Sequence, residues 1–284
     1  MKIAILSDIH GNLPALETVA DHIERWRPDY VVVNGDIVNR GPKSVACWEF
    51  VQKRPFWGIL RGNHEEYVLS HLDPNSKRTG LNQPSAWIFD QFSGNVQPFA
   101  TLPTTLHINL PHRGCHSVLS DVIITHASLR GSRDGIYPQR ATSELRQQIS
   151  ACADIANTAP AVFVTSHTHV PSVTNLSQTL LINSGSTGQP CDGDLRASYT
   201  QLAWQQSGWQ GTIVRLPYDR EQTKRDFWES GFLEDAGDPA PLIYHEWRTG
   251  QDVVVSWMKQ YWTAVSAGEI SWETAVAEHL QKFD

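Results

Sequence analysis

The first 65 residues alternate between short apolar runs and helical periodicity, and each run ends on a cluster of Asp, His, Asn and Gly. The runs occupy residues 2–6, 30–33 and 56–60. Between the first two, Leu13, Leu16, Val19, Ala20, Ile23 and Trp26 recur at helical spacing behind Asn12, which suits an N-cap. Residues 45–51 predict a second helix after Gly41-Pro42, and a third opens near His64. Buried strands separated by helices imply parallel strands joined by crossovers. In such sheets ligands bind beyond the carboxyl ends of the strands, which lie along one edge.

The pattern then changes. Residues 66–100 read as helix and loop, broken at Pro74, Gly80 and Pro84. Residues 105–110 and 117–125 read as strands around a turn at 111–114, with His112 and His116 flanking it towards solvent. A helix over 141–156 precedes a buried strand at 161–165, short strands follow at 170–175 and 179–183, and 198–205 with 210–216 suit a hairpin. The expected fold is α/β, a four-layer α-β-β-α sandwich of two mixed β-sheets flanked by helices. Residues 219–284 are expected to form a C-terminal helical extension packed on a core of residues 1–218. Within the extension, residues 254–265 and 272–283 show helical apolar spacing, Ser271 suits an N-cap, and 231–241 reads as a linker.

Five strand ends carry polar clusters. They are Asp8-Ile9-His10-Gly11-Asn12, Gly35-Asp36, Arg61-Gly62-Asn63-His64-Glu65, His126, and Ser166-His167-Thr168-His169. Imidazole with carboxylate and amide oxygen, without thiolate, suits manganese, iron, zinc or nickel. Asp8 and His10 are two apart on a turning chain and can reach one ion, and His167 and His169 share that spacing. Asp36 has two carboxylate oxygens with which to bridge two ions, and Asn63 adds a neutral oxygen. A pair of ions clamps both oxygens of an in-line displacement. With two divalent ions and two carboxylates the centre keeps a charge of about +2, which attracts phosphate.

Composition limits the alternatives. An apolar fraction of 40% with 11 Trp supports a substantial core. Lys plus Arg number 23 against 30 for Asp plus Glu, a net charge of −7, with no basic run, so no nucleic-acid surface is expected. No apolar run reaches the ~18 residues of a membrane span, and the first run is too short for a signal peptide. Cys47, Cys115, Cys152 and Cys191 form no Cys-x-x-Cys pair and are expected to be reduced, in a cytoplasmic protein.

In order and type, these segments resemble the calcineurin-like metallophosphoesterase superfamily, in its bacterial and archaeal phosphodiesterase-like branch. The shared signature is Asp-x-His, Gly-Asp, Gly-Asn-His-Glu, a later His and a His-x-His pair, over residues 1–217. The resemblance implies that Asp8, His10, Asp36 and His169 hold one metal, and Asp36, Asn63, His126 and His167 the other, with manganese favoured. It implies attack on phosphorus by a metal-bridging hydroxide, with His64 assisting the leaving group. The stretch 183–190 resembles the Asn-Pro-Gly-Ser-x-Gly element of that branch, with Ser184 in place of Pro; its glycines let backbone approach the centre. Arg196, just beyond, is expected in a salt bridge. Ser166 stands where Gly often precedes His-x-His, a change expected to matter little.

Residues 35–42 and 60–65 also resemble Ser/Thr protein phosphatases and symmetrical diadenosine tetraphosphate hydrolases. There, arginines matching Arg40 and Arg61 grip substrate phosphate. Protein phosphatases have Asp at the position of Asn39, supporting the catalytic His, and lack the second His that this chain keeps as His169. The expected activity is therefore hydrolysis of a small phosphodiester or nucleotide substrate. A dinucleoside polyphosphate hydrolase is the alternative, favoured by Arg40 and Arg61, followed by a protein phosphatase and a non-catalytic scaffold. Tyr67, Trp87, Phe92, Arg130, Arg133 and Tyr137 are candidates to stack on a base or bind phosphate.

Overall fold

Each of the three N-terminal apolar runs is a strand followed by a helix: β1 (Lys2–Leu6), α1 (Leu13–Trp26), β2 (Tyr30–Asn34), α2 (Ser44–Gln52), β3 (Trp57–Leu60) and α3 (Asn63–Leu69). The structure is a computed structural model and describes residues 1–109, 122–150, 159–205 and 208–283. Asn12 starts α1 as expected, its Oδ1 accepting the Ala15 N–H at 3.2 Å. Next come α4 (Gln83–Gln91), α5 (Gln97–Ala100), β4 (Thr105–Ile108), β5 (Val122–Thr125), α6 (Thr142–Gln148) and β6 (Val162–Thr165). β7 (Ser172–Leu176), β8 (Thr179–Asn183), β9 (Ala197–Gln205) and β10 (Gly208–Leu216) complete the strands.

The strands form two sheets, ordered β10-β9-β1-β2-β3 and β4-β5-β6-β8-β7. β1, β2 and β3 run parallel, with β9 and β10 antiparallel beside them. β5, β6 and β8 run parallel between antiparallel edges β4 and β7. The two-residue period of a strand sets the layers. Ile3 and Ile5 face the second sheet, packing with Val122, Ile124, Val162 and Val164. Ala4 and Leu6 face outward onto Leu16, Val19 and Ile23 of α1. Phe163 and Leu181 turn to the other outer face, with Leu145 of α6. Two mixed sheets flanked by helices, as expected, are the result.

Several sequence expectations fall partly outside the described residues. The β4–β5 ladder runs from Thr105↔Thr125 to Ile108↔Val122, but its turn, with His112, Cys115 and His116, lies outside them. So do residues 151–156 of the helix expected over 141–156, with Cys152. Cys47 and Cys191 are free thiols.

The C-terminal segment folds into α7 (Arg220–Glu229), α8 (Phe232–Asp235), α9 (Ala240–Thr249), α10 (Val254–Ser266) and α11 (Trp272–Leu280). The linker reading of 231–241 is corrected: Phe232, Ala236 and Ala240 are fully buried. Gly231, at φ 79°, turns the chain into α8, and the Phe232 ring meets Phe227 edge-on at 5.5 Å and Trp87 at 5.4 Å. Thr223 Oγ1 donates to Asn12 Oδ1 at 3.0 Å and Trp247 Nε1 to the Tyr218 hydroxyl at 2.9 Å, tying these helices to the core. Among the described residues, no helix is long and apolar enough to cross a membrane.

Candidate metal centre

All five polar clusters meet at one edge, where β1, β2, β3, β5 and β6 end. Buried polar groups lock the strand ends together. Asn34 Nδ2 donates to the Thr125 carbonyl at 2.9 Å and to Ser166 Oγ at 3.0 Å, and the Ser7 hydroxyl donates to the Asn34 carbonyl at 2.7 Å. The Ser166 hydroxyl thus has a structural use that glycine could not serve. The turns that follow are strained. Asp8, His10, Asp36, His167 and His169 all have left-handed φ, between 48° and 63°, a conformation costing of order 1–3 kcal/mol per non-Gly residue. Glu65 stabilises this backbone: its fully buried carboxylate accepts the N–H groups of Asp36, Ile37 and Gly62 at 2.9, 2.8 and 2.8 Å. Two glycines let the turns close. A Cβ on Gly62 would run into the Asp36 carboxylate, and one on Gly188 into the Ile9 carbonyl.

The side chains form two donor groups around Asp36. His10 Nε2 and His169 Nε2 lie 3.1 Å apart, with Asp8 Oδ1 at 3.9 Å from the first and 3.2 Å from the second. On the other side, His126 Nε2 and His167 Nδ1 lie 3.0 and 2.8 Å from Asn63 Oδ1. Asp36 Oδ2 stands between, 3.8 Å from His10 Nε2 and 3.2 Å from His126 Nε2. Two of the outward ring nitrogens are already committed. His126 Nδ1 donates to the Asn34 carbonyl at 2.9 Å and His169 Nδ1 to the Gln189 carbonyl at 2.6 Å, which leaves each Nε2 with its lone pair inward.

Buried lone pairs facing one another need a cation, and Asp8 Oδ1 is buried with no hydrogen-bond partner. The residues therefore fit two divalent ions, and three overlapping His and Asp groups offer ligand atoms within 4.8 Å of one another. Titration agrees. Burial lowers His10 and His64, and burial with the charge of His126 lowers His167 to about 4. Burial opposes charge on His126 too, but the Asp36 carboxylate overcomes it and raises that imidazole to about 10. Glu65 is raised to about 7 by burial and then by the Asp36 charge, its backbone donors opposing the rise.

His64 sits beside the donors, its ring 4.8 Å from that of His10. Asn39 orients it. Asn39 Oδ1 accepts the Arg40 N–H at 2.8 Å, so its amide Nδ2 faces His64 Nδ1, at 2.9 Å. Nδ1 is then the acceptor and the ring proton sits on Nε2.

A cavity of about 580 Å³ opens over the centre, lined at its base by Asp36, Asn63, His64, His167 and His169. Arg40 lines it as well, but its guanidinium is ion-paired with the buried carboxylate of Glu246 in α9. Arg61 does not line it: its Nη1 donates to the Ala100 carbonyl at 2.9 Å and its Nε lies 3.7 Å from Glu66. Tyr67, Arg133 and Tyr137 line the cavity. Phe92 is buried in the core, Trp87 packs at the seam with the C-terminal helices, and Arg130 and Arg196 are held by Asp134 and Asp194. Sequence reasoning missed Glu246, along with the rest of the cavity wall built by α9 and α10, because nothing local marks a helix as facing a distant site.

The sequence profile of the calcineurin-like phosphoesterases matches residues 1–171. The chain is 27% identical over 237 residues to the uncharacterized protein MJ0912 of Methanocaldococcus jannaschii, covering 76% of this chain and 88% of that one. A 44-residue stretch, 16% of this chain and 24% of the relative, is 41% identical to phosphodiesterase YfcE of Escherichia coli. The crystal structure of a metallophosphoesterase from Sphaerobacter thermophilus is similar at 26% identity and a TM-score of 0.63, over 83% of this chain and 97% of that one. With the profile spanning more than half its length, the chain belongs to the calcineurin-like phosphoesterases and is a metal-dependent phosphoric ester hydrolase.

Proposed function

We propose that the chain hydrolyses a small phosphodiester at two divalent ions, one held by Asp8, His10, Asp36 and His169 and the other by Asp36, Asn63, His126 and His167. The observation that carries this reading is the position of Asp36 Oδ2, within 3.8 Å of donors from both groups. Ions bound there would supply Lewis-acid charge to the phosphate oxygens and a nucleophile at neutral pH; the donor set suits manganese, iron, zinc or nickel, and manganese is favoured by the family resemblance. His64 faces the same space with its proton on Nε2 and serves the departing oxygen as a hydrogen-bond donor. Its ring is kept neutral by burial, so it stabilises charge on that oxygen without first being an imidazolium.

A diester is favoured over an anhydride because Arg40 already has Glu246 as its partner and Arg61 lies outside the cavity. The short match to a phosphodiesterase supports the same choice. Asn39 donates to His64 where a protein phosphatase would have a carboxylate accept, which argues against that reading.

Chelator-stripped protein tests the proposal. It is expected to be inactive on bis-p-nitrophenyl phosphate, to recover with Mn²⁺, and to prefer this diester to p-nitrophenyl phosphate. Folded protein that binds two ions yet cleaves no diester would overturn it. His64→Asn is expected to lower kcat by ~10²–10³, the scale of removing one transition-state donor, with both ions retained. Loss of an ion in that variant would make His64 a ligand instead.

A further inference from the structure

The cavity is larger than a phosphate needs; at about 580 Å³ it matches pockets that enclose a whole small molecule. Its outer wall is built by residues beyond those matched by the family profile: Ile243 of α9, and Val254, Val255, Met258 and Lys259 of α10. Tyr67, Arg133 and Tyr137 line it as well.

The charges in this outer part are unequally satisfied. Arg40 is neutralised by Glu246. Asp252, also on the wall, turns its Oδ1 to the Val255 N–H at 3.1 Å, capping the start of α10. Lys259 of α10 and Arg133 of the segment after β5 are exposed cations in the cavity lining, and among the described residues no carboxylate pairs with either. Arg133 lies over the Tyr67 ring at 4.6 Å, and that ring meets His64 edge-on at 5.1 Å. The cation is thereby held above the residue that faces the departing oxygen. In the same cavity lining, Tyr137, Val255 and Met258 leave 39%, 41% and 38% of their surface open. Apolar surface lining a cavity and flanked by free cations suits a flat apolar body that carries an anion.

We propose that this outer compartment binds a nucleoside bearing a second phosphate. Lys259 and Arg133 take that phosphate, and Val255, Met258 and Tyr137 hold the base and sugar. The C-terminal helices would then select a nucleotide diester with an additional phosphate over a diester with uncharged ends. This rests on the phosphodiesterase reading and adds the substrate class to it.

The test compares two substrates in the Mn²⁺-loaded full chain: the p-nitrophenyl ester of thymidine 5′-phosphate, and the same compound carrying a 3′-phosphate. Wild type is expected to favour the 3′-phosphorylated compound by at least tenfold in kcat/KM, mostly through KM. Lys259→Gln and Arg133→Gln are each expected to cut that preference about tenfold, the scale of one charge-assisted hydrogen bond. Lys224→Gln, an exposed residue of α7 outside the cavity, is expected to keep the wild-type ratio. Calorimetric titration of thymidine 3′,5′-bisphosphate should show the same loss in affinity in the two cavity variants. Equal ratios in wild type and both variants would overturn the compartment while leaving diester hydrolysis standing. Failure of wild type to cleave any diester with two ions bound would overturn the phosphodiesterase reading itself, and this inference with it.

Discussion

Asp36→Asn is expected to lower kcat by ~10³-fold or more and to reduce the bound metal from two ions to one or none. The reason lies in the two carboxylate oxygens. Oδ1 accepts the His64 N–H at 2.8 Å, and Oδ2 faces His126 Nε2 at 3.2 Å and His10 Nε2 at 3.8 Å. An amide can keep the first bond with its single oxygen. It must then aim an NH2 group at a place where a bridging ligand needs a lone pair and a negative charge. Losing one electrostatic stabiliser in a buried site already costs ~10²–10³ in rate; here the element that holds the ions together goes as well. The loop itself should survive, because Glu65 continues to bind the Asp36 and Ile37 N–H groups. Metal analysis beside a thermal melt separates the outcomes. Near-wild-type melting with lost metal and lost turnover is expected. Two ions and wild-type turnover in this variant would remove Asp36 from the bridging role.

The meeting of the proposed metal residues at one place was legible because each lies within a few positions of a strand end, and strand ends are local features. Hydrophobic run, turn and polar cluster occur in order, and the parallel topology brings the clusters together without further information. Asn12 and Ser271 were legible as caps for the same reason, their bonds reaching only three residues ahead. Long side chains were not. Arg61 was expected on phosphate, yet the Ala100 carbonyl and Glu66 are what its guanidinium meets, and the first depends on how α5 returns to β3. Phe92 and Trp87 were candidates for stacking on a base, and tertiary packing put both rings into apolar clusters. The stretch 231–241 looked like a linker because Gly, Pro and acids outnumber its apolar residues, but Phe232, Ala236 and Ala240 anchor it in the apolar cluster of the C-terminal helices. The largest omission, the wall made by α9 and α10, involves contacts between residues some 200 positions apart, such as Arg40 with Glu246. No periodicity encodes those.

Glu246→Ala is expected to destabilise the protein by about 3 kcal/mol, the lower part of the ~3–5 kcal/mol range for breaking a buried ion pair. The lower part applies because the Arg40 side chain is 17% exposed, whereas that of Glu246 is 1% exposed. Four groups depend on this carboxylate. Oε1 accepts from the Arg40 guanidinium and from Gln189 Nε2 at 3.1 Å; Oε2 accepts the N–H groups of Val253 and Val254 at 3.0 and 2.8 Å. Glu246 therefore joins the turn after Asp36, the stretch that positions His169 and the start of α10. Truncation leaves a half-buried cation without its partner and two buried N–H groups without acceptors. Urea unfolding should show the loss as a lower midpoint at unchanged slope. Pairing Glu246→Gln with Arg40→Gln distinguishes a charge effect from a packing effect: if the pair matters as charge, the double variant loses less than the sum of the singles. A loss below about 1 kcal/mol in Glu246→Ala, within the range of an exposed pair, would mean that the C-terminal helices are held by their apolar cluster and their other hydrogen bonds without this pair. In that case the cavity wall they form is free to shift relative to the metal centre, and Arg40 returns as a cation available to substrate phosphate.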